Sequence, residues 1–460
     1  MKLKQTHSIR QLYAQFSSLH GETNVLRVSG WIRTNRINGS IGFIELNDGS
    51  GFKNLQCVYD KNRVTDFDTI TKWGTGSAIT VEGHLVLTPT MKQPFELHVT
   101  QAELVGRAPE EYPLQKKRHG FDFLREIAHL RTRTNTFTAL FRLRSVVAMA
   151  IHQFFQEREF VYVHTPILTG NDAEGAGQVF QVLVDPKDPT AFFKKQASLT
   201  VSGQLHVEAF SEAFKKVYTF GPTFRAEPSN TTRHASEFWM IEPEISFADL
   251  QDDMELIEAC VRYVIDYTLR ECPQEIEFFN TFIDTNLKER LHAVLKTPFV
   301  KMTYTEAIEK LKEAVAQGVR FEKASITWGM DLQTEHERYL AEQLVKGPVF
   351  LTNYPKEIKA FYMRLNDDQK TVAACDLLVP GVGELVGGSQ REERLDQLTA
   401  RMEKEGNLEG LQWYVDLRKY GGTPHAGFGI GFDRLLMYLT GMNNIRDVQP
   451  YPRTPGSLLY

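Results

Sequence analysis

The stretch Gly427–Met442, GFGIGFDRLLMYLTGM, leaves this chain few folds to choose from. It opens as a glycine-rich strand and then changes period, so that Phe432, Leu435, Leu436 and Leu439 fall on one face of a helix. The junction puts Arg434 in the first helical turn. A cation there is disfavoured by the helix dipole unless an anion sits beside it. A second segment, Thr223–Glu244 (TFRAEPSNTTRHASEFWMIEPE), reads as two apolar-rich strands, around Val217–Ala226 and Glu237–Phe247, joined by a polar loop. Such a hairpin holds Arg225, Glu227, Arg233, His234 and Phe238 over one patch of sheet. Arginine forks, a planar ring and an acid in one sheet-lined cleft suit a nucleoside triphosphate.

The N-terminal part has a different texture. VLRVSGWIRTNR, GFIELNDGS, NLQCVYD, AITVEGHLVLT and FELHVTQAELVG are short β-rich runs separated by Gly, Asn, Asp and Pro. Five such strands predict a small barrel of the OB type. The segment Ala108–Gly120 (APEEYPLQKKRHG) bears prolines and charge and reads as a linker. The expected division is therefore 1–107 barrel, 108–125 linker and 126–460 a larger α+β domain. At the start of that domain, Thr134–Glu159 carries Phe137, Leu140, Phe141, Val147, Ile151, Phe154 and Phe155 at helical spacing. It leads into FVYVHTPIL, a strand interrupted by Pro166, which must lie at an edge or bulge. Asp249–Leu269 and Thr305–Ala316 read as helices, and PVFLTNYP, FYMRLN and VAACDLLVPG as β-rich pieces. The pattern predicts a mostly antiparallel sheet flanked by helices.

Composition excludes several classes. A net charge of −5 argues against a protein that coats nucleic acid without specificity. Cys57, Cys260, Cys272 and Cys375 match neither a zinc pattern nor a disulfide framework, and fit a reducing cytoplasm. The opening MKLKQTHSIRQLYAQF has no apolar core of a signal peptide, and no run of about 18 apolar residues predicts a membrane span.

A third constellation is Cys375–Arg394, CDLLVPGVGELVGGSQREER. Asp376 and Glu384 are an acidic pair able to hold Mg²⁺ on nucleotide phosphates. Gly387 and Gly388 leave room for a substrate to approach the backbone, and Arg391 projects from the same segment.

The segments Thr223–Glu244 and Gly427–Met442 resemble motifs 2 and 3 of the class II aminoacyl-tRNA synthetases, and the helix and proline-bearing strand over Thr134–Pro166 resemble motif 1. GELVGGSQRE resembles the wording of subgroup IIb, which takes in the aspartyl, asparaginyl and lysyl enzymes. The resemblance implies ATP and Mg²⁺ as cofactors, with Asp376 and Glu384 holding the metal. It implies that Arg225 bridges the amino-acid carboxylate and the α-phosphate, and that Glu227 accepts from the adenine amino group. Arg233 and His234 then reach the outer phosphates, and Phe238 and Arg434 sandwich the adenine beside Gly431 and Glu384. It further implies a homodimer built through the motif 1 helix and strand around Thr134–Pro166. Phe43 and Gln56 fall where related barrels keep an aromatic stacker and an amide reader for the central anticodon base, with Arg33 and Arg36 beside them.

The choice of amino acid rests on other residues. In subgroup IIb the arginine matching Arg391 grips the side-chain oxygen, which suits aspartate or asparagine. Aspartyl enzymes have a lysine shortly after the glutamine matching Gln204, and here the matching position is Val207. Without that cation an aspartate side chain is under-neutralised, and burying an unpaired charge is costly. Glu242 repels a carboxylate and accepts from an amide. Glu174, in a glycine-rich stretch, matches a loop that binds the α-amino group. L-Asparagine and tRNA(Asn) are therefore the expected substrates. The alternatives are the aspartate enzyme, a tRNA-independent asparagine synthetase of the same fold and, more remotely, a non-catalytic OB-fold RNA-binding protein.

Overall fold

A computed structural model describes residues 7–21, 24–170, 179–323 and 325–460. The chain divides into two compact units, Met1–Ala139 and Leu140–Tyr460.

The first unit opens with the helix Ile9–Leu19, started by a capping box between Ser8 and Gln11. Five strands follow: β1 (Leu26–Asn38), β2 (Ile41–Asn47), β3 (Leu55–Asp60), β4 (Ala78–Leu87) and β5 (Phe95–Gly106). Their order is β1-β2-β3-β5-β4, and the pairing of β1 with β4 closes the barrel. Val28, Ile32, Ile44, Leu46, Leu55, Cys57, Ile79, Val81 and Leu97 alternate inward and fill it. The same alternation turns Arg36, Phe43, Glu45, Gln56 and Val58 outward. Residues 107–120 form neither helix nor strand.

The second unit is built on an eight-stranded sheet and a small three-stranded one. The strands in chain order are β6 (Val161–Tyr162), β7 (Leu168–Thr169), β8 (Gln181–Val182), β9 (Ala197–Leu199), β10 (Lys216–Phe224), β11 (Glu237–Ser246), β12 (Val300–Thr303), β13 (Val349–Pro355), β14 (Thr371–Val379), β15 (Gly383–Gln390) and β16 (His425–Gly431). The large sheet runs β12-β13-β14-β15-β16-β11-β10-β6 and the small one β7-β9-β8. In the large sheet only the outermost pairs, β12 with β13 and β6 with β10, are parallel. The α+β architecture with a mostly antiparallel sheet is as expected. Helix Leu250–Glu271 lies against β14, β15 and β16, and helix Phe432–Thr440 against β11 and β16. Helix Gln204–Phe214 covers β10 and β11.

Two local expectations need correction. FVYVHTPIL is not one strand: only Val161–Tyr162 and Leu168–Thr169 pair, and they belong to different sheets. Pro166, which has no donor, stands in the break. FYMRLN contributes only single bridges, Met363 with Arg391 and Leu365 with Val372.

Candidate active site

Residues directly opposite one another in a sheet share a face, so the register fixes what looks into the cleft. Along β11 that face carries Phe238, Met240, Glu242 and Glu244. Their neighbours on β10 are Thr223, Gly221, Thr219 and Val217. On the other side Met240 meets Gly431 and Glu244 meets Gly427. Gly429 and Gly427 in turn oppose Gly387 and Ser389, and Gly387 opposes Asp376. The floor is thus a row of glycines with a ring, a thioether and two acids along one side. A Cβ on Gly429 would come within 2.7 Å of the Met240 Cε. Gly388 does not belong to this floor, contrary to expectation. Strand alternation turns it to the opposite face, where a Cβ would meet Asp253 Oδ2 of helix Leu250–Glu271 at 2.6 Å.

Over the glycine floor lies a cleft of about 840 Å³, open to solvent. All eight residues expected to bind the nucleotide line it: Arg225, Glu227, Arg233, His234, Phe238, Glu384, Gly431 and Arg434. Arg225 is the first residue past β10. Its N–H still donates to Ser236 O at 2.9 Å, which holds the root of the loop, and its guanidinium carbon stands 5.4 Å from the Phe238 ring centre. Glu227 also lies beyond the strand and is exposed, so it does not share a strand face with Arg225 as the sequence suggested. The prolyl residue that follows it, Pro228, cannot extend the ladder. Arg434 Nη1 lies 3.4 Å from Glu384 Oε2, the anion that a cation in a first helical turn requires. Burial and then the charge of Arg434 lower the His234 pKa, so its ring is neutral near pH 7. Its Nδ1 is 2.6 Å from Thr231 Oγ1.

The acids at the β14–β15 end are each matched to a cation. Lys359 Nζ donates to Asp376 Oδ2 at 2.7 Å and lies 4.0 Å from the Tyr354 ring centre. Burial raises the Asp376 carboxyl, and Lys359 pulls against it. Burial likewise opposes ionisation of Glu384, but Arg434, Lys359 and Arg233 together hold its carboxyl below the usual range. A Cβ on Gly387 would sit 3.3 Å from Glu384 Oε1 and 3.4 Å from Asp376 Oδ1. Two carboxylate oxygens reaching over one glycine fit a hard cation that takes its other ligands from phosphate and water. Among the described residues no group of three or more His, Cys, Asp or Glu is arranged for a metal. Sequence reasoning missed Lys359 and Glu337. Glu337 Oε2 accepts the Glu384 N–H at 3.1 Å and lies 3.6 Å from Arg233 Nη1. Burial and then the neighbouring Glu384 charge push its carboxyl up to about 7.

Further along β11 the site closes. Glu242, 5% exposed, accepts from the Ser202 hydroxyl and from the Gly203 N–H at 2.9 Å. Gln204 begins the covering helix, and its buried Nε2 has no partner among the described residues. Arg391, 2% exposed, does not reach Glu242: its Nε donates to Glu244 Oε2 at 3.2 Å, Nη2 to Glu244 Oε1, and Nη1 to Ser389 Oγ at 2.7 Å. Val207 packs with Val163 and Val217, and Val217 lies directly opposite Glu244. A lysine at 207 would therefore enter the surroundings of the Arg391–Glu244 pair. Glu174 lies outside the described residues.

Behind this end is a buried network with no local signal in the sequence. Glu208, one turn after Gln204, meets Arg418 Nη2, the Tyr414 hydroxyl at 2.8 Å and His425 Nε2 at 2.7 Å. Burial alone would raise Glu208, but Arg418 and His425 hold its carboxyl far below the usual range. The partners come from another helix, Gln412–Lys419, and from β16.

On the barrel, Phe43 lies between Arg36 of β1 and Val58 of β3. Gln56 Nε2 donates to Glu96 Oε1 at 2.6 Å. Phe43, Gln56 and Arg36 share the outer face. Arg33 is set apart from them: it sits at an irregularity in β1, and its guanidinium donates to the Arg133 carbonyl.

Residues 122–455 match the family model described as tRNA synthetases class II (D, K and N), and residues 26–105 match that of the OB-fold nucleic acid binding domain. The chain is 57% identical to an asparagine–tRNA ligase of Clostridium botulinum, with 99% of each chain covered. It is 58% identical to that of Acetivibrio thermocellus, covering 98% of this chain and 99% of the relative. Its structure is similar to asparaginyl-tRNA synthetase from Pyrococcus horikoshii complexed with asparaginyl-adenylate, at TM-score 0.88 and 33% identity, over 99% of this chain and 100% of that one.

Proposed function

From the premise that the chain belongs to the class II tRNA synthetases, among the asparagine–tRNA ligases, we propose the following division of labour over its residues. The reaction has two steps: L-asparagine attacks ATP to give asparaginyl-adenylate and pyrophosphate, and the asparaginyl group then passes to the terminal adenosine of tRNA(Asn). In the first step one anion attacks another, so positive charge must already be in place around the reacting phosphorus. Arg225 bridges the substrate carboxylate and the α-phosphate. Phe238 and Arg434 enclose the adenine, Glu227 accepts from its amino group, and Arg233 and His234 take the outer phosphates. Asp376 and Glu384 would hold Mg²⁺, which when bound neutralises phosphate charge.

The order of residues along β11 supports asparagine, and it is the observation that carries the reading. Proceeding from Phe238, the face reaches Glu242 and then the Glu244–Arg391 pair, about 7 Å per two residues. Three of the five N–H groups of Arg391 are used by Glu244 and Ser389. The remaining two can donate to a side-chain carbonyl oxygen, while Glu242 accepts from the amide NH₂. Arg391 is matched by Glu244, Glu242 is an acid, and Val207 supplies no cation. A carboxylate entering there meets the like charge of Glu242, whereas a carboxamide finds both a donor and an acceptor. Gln204 and Glu174 complete the amino-acid site.

The barrel reads the anticodon, with Phe43 as stacking platform, Gln56 as edge reader and Arg36 toward phosphate. The domains are 1–107, a linker over 108–125 and a catalytic domain over 126–460. The enzyme is a cytoplasmic homodimer assembled around Thr134–Pro166, where Met149 and Val161 expose apolar surface. Among the described residues no helix is long and apolar enough to cross a membrane.

The decisive experiment is amino-acid-dependent exchange of labelled pyrophosphate into ATP. Exchange is expected with asparagine and not with aspartate; exchange with aspartate alone would sink the specificity reading. Phe43→Ala should raise the KM for tRNA about 5- to 100-fold, the loss of one stacked base. Pyrophosphate exchange should be unchanged in that variant, and sedimentation of the wild type should give the mass of a dimer.

A further inference from the structure

The short helix Thr334–Arg338 lies outside every segment assigned to substrate, yet it touches both ends of the outer-phosphate region. Arg233 comes from the loop after β10, and Glu384 from the start of β15. Arg233 Nη1 donates to Thr334 Oγ1 at 2.6 Å and lies 3.6 Å from Glu337 Oε2. Arg233 Nη2 donates to Glu384 O at 3.2 Å, and the Glu384 N–H donates to the same Glu337 oxygen at 3.1 Å. One carboxylate oxygen therefore serves a guanidinium and a backbone amide that belong to different elements of the site, a loop and a strand.

The approach is built into the backbone. Gly383, next to Glu384, has φ of +85°, and a Cβ there would lie 2.6 Å from Glu337 Oε2. A side chain at 383 would thus push Glu337 away, besides straining the left-handed backbone. Both ends of the Arg233 guanidinium are held, while its buried Nε has no partner among the described residues. An arginine fixed this way keeps a donor for an incoming anion and loses little freedom when that anion arrives.

We propose that Glu337, assisted by Thr334, is a positioning residue for ATP: it holds Arg233 and the backbone of Glu384 in the arrangement that receives the outer phosphates. The inference rests on the reading of Arg233 as a phosphate ligand. Glu337 acts through Arg233 and touches no substrate. Its removal therefore weakens ATP binding while leaving the amino-acid end intact, because Glu337 meets Arg233 and Glu384, whereas Glu242 meets Ser202 and Gly203 and Arg391 meets Glu244 and Ser389.

The test is asparagine-dependent pyrophosphate exchange by wild type, Glu337→Ala, Thr334→Val, Arg233→Ala and the double variant Glu337→Ala/Arg233→Ala. Glu337→Ala is expected to raise the KM for ATP about 10-fold, the size of one lost charge-assisted contact, with the KM for asparagine unchanged. The double variant should be no worse than Arg233→Ala alone, since residues that act through one another do not add. Thr334→Val changes an exposed, nearly isosteric side chain, so it reports on the same arrangement even if Glu337→Ala folds poorly; a rise of about 3-fold in the KM for ATP is expected. An unchanged KM for ATP in Glu337→Ala, or additive effects in the double variant, overturns the proposal. So does an unchanged KM in Thr334→Val if Glu337→Ala cannot be purified. If Arg233→Ala itself leaves the KM for ATP unchanged, it is the underlying phosphate reading that falls.

Discussion

The two halves of the cleft solve opposite problems with the same residue types. Around Phe238 the site is open, and its arginines engage acids at 3.4–3.6 Å, long for charged pairs. Around Glu244 it is closed. Arg391 is 2% exposed and Glu244 fully buried, with three hydrogen bonds consuming the guanidinium's Nε and one N–H on each side. A polyanion can be captured in an open cleft by cations whose ion pairs to acids are long, because its charge is large and its shape tolerant. An uncharged carboxamide offers no such driving force. It has to be recognised by a few donors and acceptors already fixed in place, where an unmatched group costs most.

The contrast can be broken first at its closed end. Arg391→Leu leaves Glu244 as an uncompensated buried charge and should cost about 3–5 kcal/mol of stability by denaturant unfolding. It should also abolish asparagine-dependent exchange. If stability stays within 1 kcal/mol of wild type, the pair is not the rigid element described. At the open end, Arg225→Ala should lower adenylate formation about 10²–10³-fold, as loss of one charge contact in a transition state does. Here the melting temperature should change little. Near-normal exchange would mean that Arg225 does not touch the reacting phosphate.

Val207→Lys sharpens the comparison by adding a cation to the closed half alone. The asparagine-to-aspartate ratio of kcat/KM should fall about 10-fold, the effect of one charged partner on discrimination. The KM for ATP should stay where it was, and a matched rise there would assign the change to a general disturbance. The smallest effect concerns pH. Burial would lower His425, but Glu208 raises it above its unfolded value. A histidine raised in the folded state contributes stability that is fully present below about pH 6.5 and is lost as pH rises through the folded value. His425→Gln should therefore flatten the decline in stability above pH 6.5, read as the slope of unfolding free energy against pH. An unchanged slope would show that the Glu208 network does not hold that proton.

How far the site could be read in advance differs between the halves for the same reason. Arg225, Phe238 and Arg434 stand in two continuous segments whose strand and helix periods are plain, and all eight residues expected to bind the nucleotide line one cleft. Local pattern suffices when one hairpin and one strand–helix junction carry the groups. Arg391 and Glu242 were also singled out, but not that Arg391 would pair with Glu244, two residues after Glu242. That pairing depends on the β11–β16–β15 register. Gly388 was placed on the wrong face because GG has no period; strand alternation gives only Gly387 to the cleft. Lys359, Glu337, Arg418 and His425 carried no local signal, being single polar residues in ordinary contexts. The short strands around Pro166 were overdrawn for a related reason: apolar β-branched residues mark extended chain, not the partner that makes it a strand.

By itself, then, the sequence determined the two-part architecture, the α+β class of the larger unit and the gathering of the expected nucleotide residues in one cleft. Each follows from hydrophobic period and turn chemistry acting over a few residues at a time. The tertiary structure alone decided which acid faces which base. Glu244 with Arg391, Glu208 with Arg418 and His425, and Glu337 with Arg233 join segments 104–217 residues apart. Their energies depend on burial and on distances of a few ångströms, which exist only once the sheet has set its register and the helices have closed over it.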